Sequence, residues 1–331
     1  MATAGWETTL RIARETVAWG TEVVTDMMVL GLTNDVHFGP FAADAISAGH
    51  ARDGTNILQE AQTCVGRKVV AVTGCQTALS PRAMQWLIAS LASDPSTEAL
   101  PATDVVQELD YSGGGTVSDV PSVYYTIMKW MGQAARSIEV AGSVINRVAV
   151  DCPADGIGQI TFDFLGEDDS APASSTLKVS GAVITDTALR TNDCTVYWGT
   201  TEIDPISFGF ELNNNAFHVF TECQIPDAIL LGPMAFSASV VGEWLDTGIT
   251  DGLAADSRAG TIRKLTFQWG SPGSNGYLFV DVDAKIIPTP AQTEGDNFQQ
   301  VTFNFEGVKL TTGGSTWQVT TNSPVAFLFN A

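Results

Sequence analysis

Apolar and polar residues alternate along much of this chain. In QITFDFLG, Gln159 to Gly166, the residues Ile160, Phe162 and Phe164 alternate with Thr161 and Asp163. In QVTFNFEG, Gln300 to Gly307, Val301, Phe303 and Phe305 alternate with Thr302 and Asn304. A period of two places one set on each face of a sheet, so both stretches predict half-buried strands. Each closes on a glycine, a common way to leave a strand.

The same pattern predicts strands in TLRIA (from Thr9), RKVVAVTGCQTAL (from Arg67), SVYYTIMKW (from Ser122) and RSIEVAGSVINRVAV (from Arg136). It recurs in FSASVVGEW (from Phe236), RKLTFQW (from Arg263) and YLFVDVDAKIIP (from Tyr277). Gly74, inside the second of these, predicts a bulge. One segment breaks the pattern. In SPRAMQWLIASLAS, Met84, Leu87, Ile88 and Leu91 form a helical stripe, Ser80 is an N-cap and Pro81 suits the first helical position, so a helix is expected over about 81–93. Asp94-Pro95 ends it, and residues 94–121, rich in Pro, Ser, Gly and Asp, read as a long loop. TDGLAADSRA in the second half reads as at best a weak helix, and residues 33–66 carry no assignable pattern.

The strands come twice in one order. The spacings from Trp130 to Trp269, from Ile138 to Leu278 and from Gln159 to Gln300 agree to within about two residues, which argues for an internal repeat. Upstream, FSASVVGEW matches KVVAVTGCQ with Gly242 opposite Gly74. The polar stretch GEDDSAPASSTLK, from Gly166, reads as the join, with Glu167, Asp168 and Asp169 in a solvated turn. The expected organisation is therefore two tandem β modules, residues 1–170 and 171–331. The competing reading is one large sandwich with similar strands.

Composition narrows the partners. The chain has 37 acidic and 16 basic residues among 331, a formal net charge of −21, so it should not wrap a phosphate backbone or adhere to an anionic membrane. Apolar residues make up 44%, enough for a core. Cys64, Cys75, Cys152, Cys194 and Cys223 show no CxxC spacing and read as free thiols of a reducing compartment. The N-terminal residues lack the apolar run of a signal peptide, and no stretch is long enough to span a bilayer.

No catalytic, cofactor-binding or metal-binding residues are nominated. His37, His50 and His218 are scattered, and neither HExxH nor GxSxG occurs. SGGGT and GSPGSNG lack the ending of a phosphate loop and read as turns. Asp281 and Asp283 in DVDAK lack the rest of a calcium loop and are explained equally well as solvent-facing strand residues. Trp86, Trp130 and Trp269 sit where packing, rather than sugar stacking, explains them.

Taken in order, LRIARETVAWGT, KVVAVTGCQTALSPRAMQWLIASLA, RSIEVAGSVINRVAVDCPADGIGQITFDFLG, EIDPISFGFELNNN and VTFNFEGVKLTTGG resemble the tail tube proteins of long-tailed bacteriophages. The resemblance implies a mainly β fold of tail-tube-type sandwich or barrel modules with a flanking helix. It also implies a non-enzymatic virion protein without cofactors, assembled in the host cytoplasm into stacked rings. These form a hollow tube that passes genomic DNA and a tape-measure protein without tight binding and meets other tail proteins at its ends. A doubled module implies three chains per ring with pseudo-sixfold symmetry; an accessory second domain implies six. The alternatives are a carbohydrate-binding or adhesion sandwich, a hydrolase on a sandwich, and another tail component such as a tail terminator.

Overall fold

The computed structural model describes residues 8–15, 19–20, 28–30, 37–39, 45–47, 63–65, 69–81, 83–84, 105–109, 124–131, 137–170, 188–220, 225–233, 235–243, 247–271, 274, 276–287, 291–294, 299–308 and 317–322. The first half supplies β1 (Thr8–Arg14), β2 (Met28–Leu30), β3 (His37–Gly39), β4 (Ala45–Ser47), β5 (Thr63–Val65) and β6 (Val70–Ala78). It continues with β7 (Val105–Leu109), β8 (Tyr125–Met131), β9 (Ile138–Cys152), β10 (Gln159–Gly166) and β11 (Asp168–Ser170). The second half supplies β12 (Cys194–Trp198), β13 (Thr201–Ile203), β14 (Pro205–Asn213), β15 (Phe217–Val219), β16 (Ala228–Leu230) and β17 (Ala235–Glu243). Helix α1 (Thr247–Ala259), β18 (Ile262–Trp269), β19 (Tyr277–Ile286), β20 (Ala291–Glu294), β21 (Gln299–Gly307) and β22 (Trp317–Asn322) complete it. The fold is mainly β, and the ladders between these strands are antiparallel.

Both opening phrases are strands, and their alternation is the burial pattern. Ile160, Phe162, Phe164, Val301, Phe303 and Phe305 are at most 2% exposed, while Asn304 is exposed and Asp163 half-buried. Their rings join one core that runs through both halves: Phe162 packs edge-on to Phe164 at 5.5 Å, and Trp198 meets Phe305 at 5.3 Å. Such burial of aromatic rings is the dominant favourable contribution to folding.

Strand β9 carries the architecture. Its first part pairs with β8 on one edge and β11 on the other; its last part pairs with β10 and β14. The strand passes from one sheet into a second at Gly142, whose φ of +60° favours glycine. There the register against β8 slips between Tyr125 and Ile127. The second sheet then runs β3–β6–β10–β9–β14–β17–β21–β20, crossing from the first half into the second at β9–β14.

The pairings of the first half recur in the second. The set β1–β2, β1–β8, β8–β9, β9–β10, β10–β6, β6–β3 and β4–β5 has as counterparts β12–β13, β12–β18, β18–β19, β19–β21, β21–β17, β17–β14 and β15–β16. Registers match as well: Phe164 lies opposite Ile145 and Val72, Phe305 opposite Ile286 and Ala238. The continuous β9 corresponds to two strands, β19 and β20, because Pro288 and Pro290 fall between them and cannot donate to a ladder.

Several sequence expectations change. Gly74 is a bulge residue at φ +75°, with the ladder to β10 slipping beside it. However, Gly242 lies opposite Val301, as Thr77 lies opposite Ile160, so Gly242 corresponds to Thr77 and not to Gly74. The bulge accounts for one residue of this three-residue displacement; the other two are a slip by one full period of the alternation, present already where Ala238 corresponds to Val72. The loop expected over 94–121 contains β7, which pairs with β22 from the other end of the chain. The join begins as β11, so Asp168 and Asp169 are strand residues paired with β9, and the half-buried Glu167 bonds its N–H to Ala141 O; none sits in a solvated turn. The segment read as a weak helix is α1, thirteen residues long. Its hold on the sheet is tertiary: Trp198 Nε1 donates to Asp256 at 2.9 Å, and Arg263 pairs with the same carboxylate at 2.7 Å. Of the helix expected over 81–93, Pro81, Ala83 and Met84 are helical and buried, and Ser80 Oγ caps Ala83 N–H at 3.2 Å; its remaining residues lie outside those described.

Candidate assembly surface

The β9–β14 junction forms one face of a shallow open groove of about 550 Å³. Inward-facing residues of these strands, Val148, Val150, Phe208, Phe210 and Leu212, are buried in the core. Alternation therefore turns Ala149, Asp151, Ser207, Gly209 and Glu211 outward, joined by Ser237, Ser239 and Asn304 from β17 and β21. These are small, polar or acidic, and Val241 and the exposed Ile287 add apolar surface to the same groove. Gly209 lets β14 lie close to β9, since a Cβ there would stand 3.0 Å from Val150 O.

One cation fixes the edge of this face. Arg147 on β9 binds Glu211 of β14 at 2.9 Å and Asp163 of β10 at 3.2 Å, tying the two halves together. Hydrogen bonding to Glu211 raises its pKa further and outweighs the opposing effect of burial. Asp163 also accepts Gly74 N–H at 2.7 Å, so the bulge and the junction share a carboxylate. The hairpin β15–β16 reaches the same border, where His218 Nε2 donates to Gly166 O at 2.8 Å; burial lowers the His218 pKa against that bond.

Behind the junction, a buried glutamate holds the bend of β9. Glu15 accepts Gly142 N–H at 2.7 Å and Gly20 N–H at 2.9 Å, and Thr126 Oγ1 at 3.0 Å. Burial raises its pKa despite these three donors. Trp19 Nε1 donates to Gly142 O at 3.3 Å from the other side.

The groups weighed for chemistry are dispersed. His37 lies on β3 and His218 on β15, and His50 is outside the described residues. Cys75, Cys152 and Cys194 are buried free thiols, with the Cys152 pKa pushed up to about 12 by burial and Asp151; Cys64 lies on β5 and Cys223 is outside the described residues. The acids of DVDAK do not both face solvent: Asp283 is 3% exposed, and Lys264 pairs with it at 3.4 Å and with Asp281 at 3.2 Å. Burial raises the Asp283 pKa against Lys264. Among the described residues, no three His, Cys, Asp or Glu side chains are grouped to hold a metal ion, and no helix is long and apolar enough to cross a membrane. Trp130 and Trp269 are buried, one under the Arg11 guanidinium at 4.9 Å and the other donating to Arg190 O at 3.0 Å; Trp86 is outside the described residues. The outward set on β14 and β17 escaped the sequence reading. Its only signal was that alternate positions of PISFGFELN and AFSASVVGE are small or acidic.

A family model described as phage tail tube protein matches residues 5–307. A search of curated proteins found no match.

Proposed function

The chain belongs to the phage tail tube protein family, and from that premise we propose that its subunits close into rings that stack as a hollow tail tube. The family is one of structural phage tail proteins, which places the chain among components of the virion tail. The observation that carries the ring reading is the sheet that crosses from one half of the chain to the other at β9–β14. Two tandem modules, 1–170 and 171–331, account for the recurrent pairings, with the second module continuing the sheet of the first.

The small, acidic face at the junction lines the lumen in this proposal. The exposed Asp151 and a net charge of −21 repel phosphate, so DNA slides past without adhering, and a tape-measure protein occupies the same channel before ejection. Sheet width favours three chains per ring over six. The eight strands of this sheet among the described residues, tilted about 40° at about 4.8 Å spacing, close with three chains into a ring about 45–50 Å across between backbones, and with six into one about twice as wide. The narrower ring is already wider than one DNA duplex.

Negative-stain electron microscopy and native mass spectrometry of the purified chain test this reading. Hollow tubes or rings weighing three chains are expected. Rings of six chains would refute the three-chain ring, and a protein that stays monomeric at high concentration would refute the tube.

A further inference from the structure

Two carboxylates meet where β9 bends. Glu15, just past the end of β1, holds Gly142 N–H and Gly20 N–H. Glu167, just past the end of β10, crowds the same two glycines: a Cβ built on Gly20 would overlap its Oε2, and one on Gly142 would lie 2.9 Å from that atom. Both glycines have positive φ, so the two acids share a stretch of bare backbone that does not readily take a side chain. They are held unequally. Glu15 has three donors and is 7% exposed, whereas Glu167 is half-buried and no donor among the described residues meets its carboxylate. The other titratable groups of the corner are Asp168, the Tyr124 hydroxyl, whose ring lies 6.2 Å from Trp19, and His218, bonded to the neighbouring Gly166 O. None of the ion pairs between described residues includes either glutamate. Burial, with a smaller push from Glu167, raises the Glu15 pKa against its donors, and burial and Asp168 raise that of Glu167.

We propose that Glu15 and Glu167 share a proton and act as a pH-sensitive brace, which holds the join onto β9 in mild acid and loosens it as both carboxylates ionise. With one proton between them a single charge remains in the corner, and the three donors of Glu15 stabilise it there. A second ionisation sets like charges around the same two glycines. Glu15 is tied by its donors, so Glu167 is the member that turns towards solvent. Its own N–H bonds Ala141 O at 3.1 Å, and it stands between Gly166, which holds His218 of the second half, and β11, which pairs with β9. Its departure therefore weakens both ties. Both groups bind their proton more tightly in the folded chain than in the unfolded one, so the stabilisation is complete below the ordinary glutamate range and is lost as pH rises through the raised values.

Glu167→Gln tests the brace, because an amide has the shape of the protonated acid and does not ionise. Amide exchange of the full chain, kept in one assembly state and corrected for its intrinsic pH dependence, is followed from about pH 5 to pH 8. In the parent, residues 166–170 are expected to lose protection by at least about tenfold as pH rises, while the β9–β10 ladder keeps its own. In Glu167→Gln the same residues are expected to stay protected throughout. Flat protection at 166–170 in the parent, a loss shared equally by the β9–β10 ladder, or a variant that loosens with the parent's profile would each overturn the inference. Carboxyl carbon resonances of the parent give a second readout that requires no variant to fold. Glu15 and Glu167 are expected to titrate above the ordinary glutamate range in two overlapping steps, each sensing the other, and two independent single-site curves would overturn the sharing. The brace stands apart from the tube reading, and none of these outcomes bears on ring formation.

Discussion

The bend of β9 is expected to depend on one carboxylate. Glu15 is 7% exposed, and it is the acceptor for Gly142 N–H, Gly20 N–H and the Thr126 hydroxyl. Glu15→Ala removes that acceptor from all three donors at once. An unpaired buried group costs about 1–3 kcal/mol, and water entering the vacated space recovers part, so the expected loss is about 3–5 kcal/mol. At roughly 2–3 °C per kcal/mol for a chain of this size, Tm should fall by about 10 °C. Glu15→Gln is gentler. Its carbonyl oxygen still serves Gly142 and Thr126, but its amide faces the Gly20 N–H, a loss of about 1–2 kcal/mol.

The two variants also separate burial from hydrogen bonding. Burial raises the Glu15 pKa, so the folded protein holds this proton more tightly than the unfolded chain does. The parent therefore loses stability as pH rises from the ordinary glutamate range through the raised folded value, and the glutamine variant has no such loss. Its deficit should be widest in acid and should narrow towards neutral pH. Urea unfolding followed by tryptophan fluorescence, with all variants in one assembly state, measures this. A deficit that widens with pH would mean that the three donors outweigh burial. An alanine variant within about 1 kcal/mol of the parent would refute the role given to Glu15 in the bend.

Other expectations concern the junction and the core. Arg147→Met should cost about 0.5–1.5 kcal/mol at low salt, a modest figure because the side chain is 36% exposed, and the cost should shrink in concentrated salt; a salt-independent loss would show that the ion pairs do not cause it. Phe164→Ala and Phe305→Ala should each cost about 3–5 kcal/mol in denaturant unfolding, and a cost under about 1 kcal/mol at either would remove that ring from the core. Cys75, Cys152 and Cys194 should resist alkylation in the native protein at mildly alkaline pH and react on unfolding; rapid native labelling, read by peptide mass, would contradict their burial.

Much of this protein was determined by the sequence alone. A period of two at Ile160, Phe162 and Phe164, and again at Val301, Phe303 and Phe305, is enough to specify strands and their buried faces, because burial follows the alternation of side chains. The Gly74 bulge and the Ser80 cap were legible for a similar reason: each follows from the local preferences of one residue type. What only the tertiary structure decided depends on partners distant in the chain. Strand β7 exists because β22 offers it an edge, and α1 is anchored by Trp198 and Arg263, neither of them within the helix. The displaced match of Gly242 combines a two-residue slip, which leaves the alternation of hydrophobicity unchanged, with the one residue that the bulge inserts. The candidate surface was hidden for the same reason. Ser207, Gly209, Glu211 and Ser239 are unremarkable residues singly, and become one acidic, small-residue face only when β9, β14 and β17 lie side by side. Alternation tells a residue which face it occupies; only the ladder tells it which strand lies next to it.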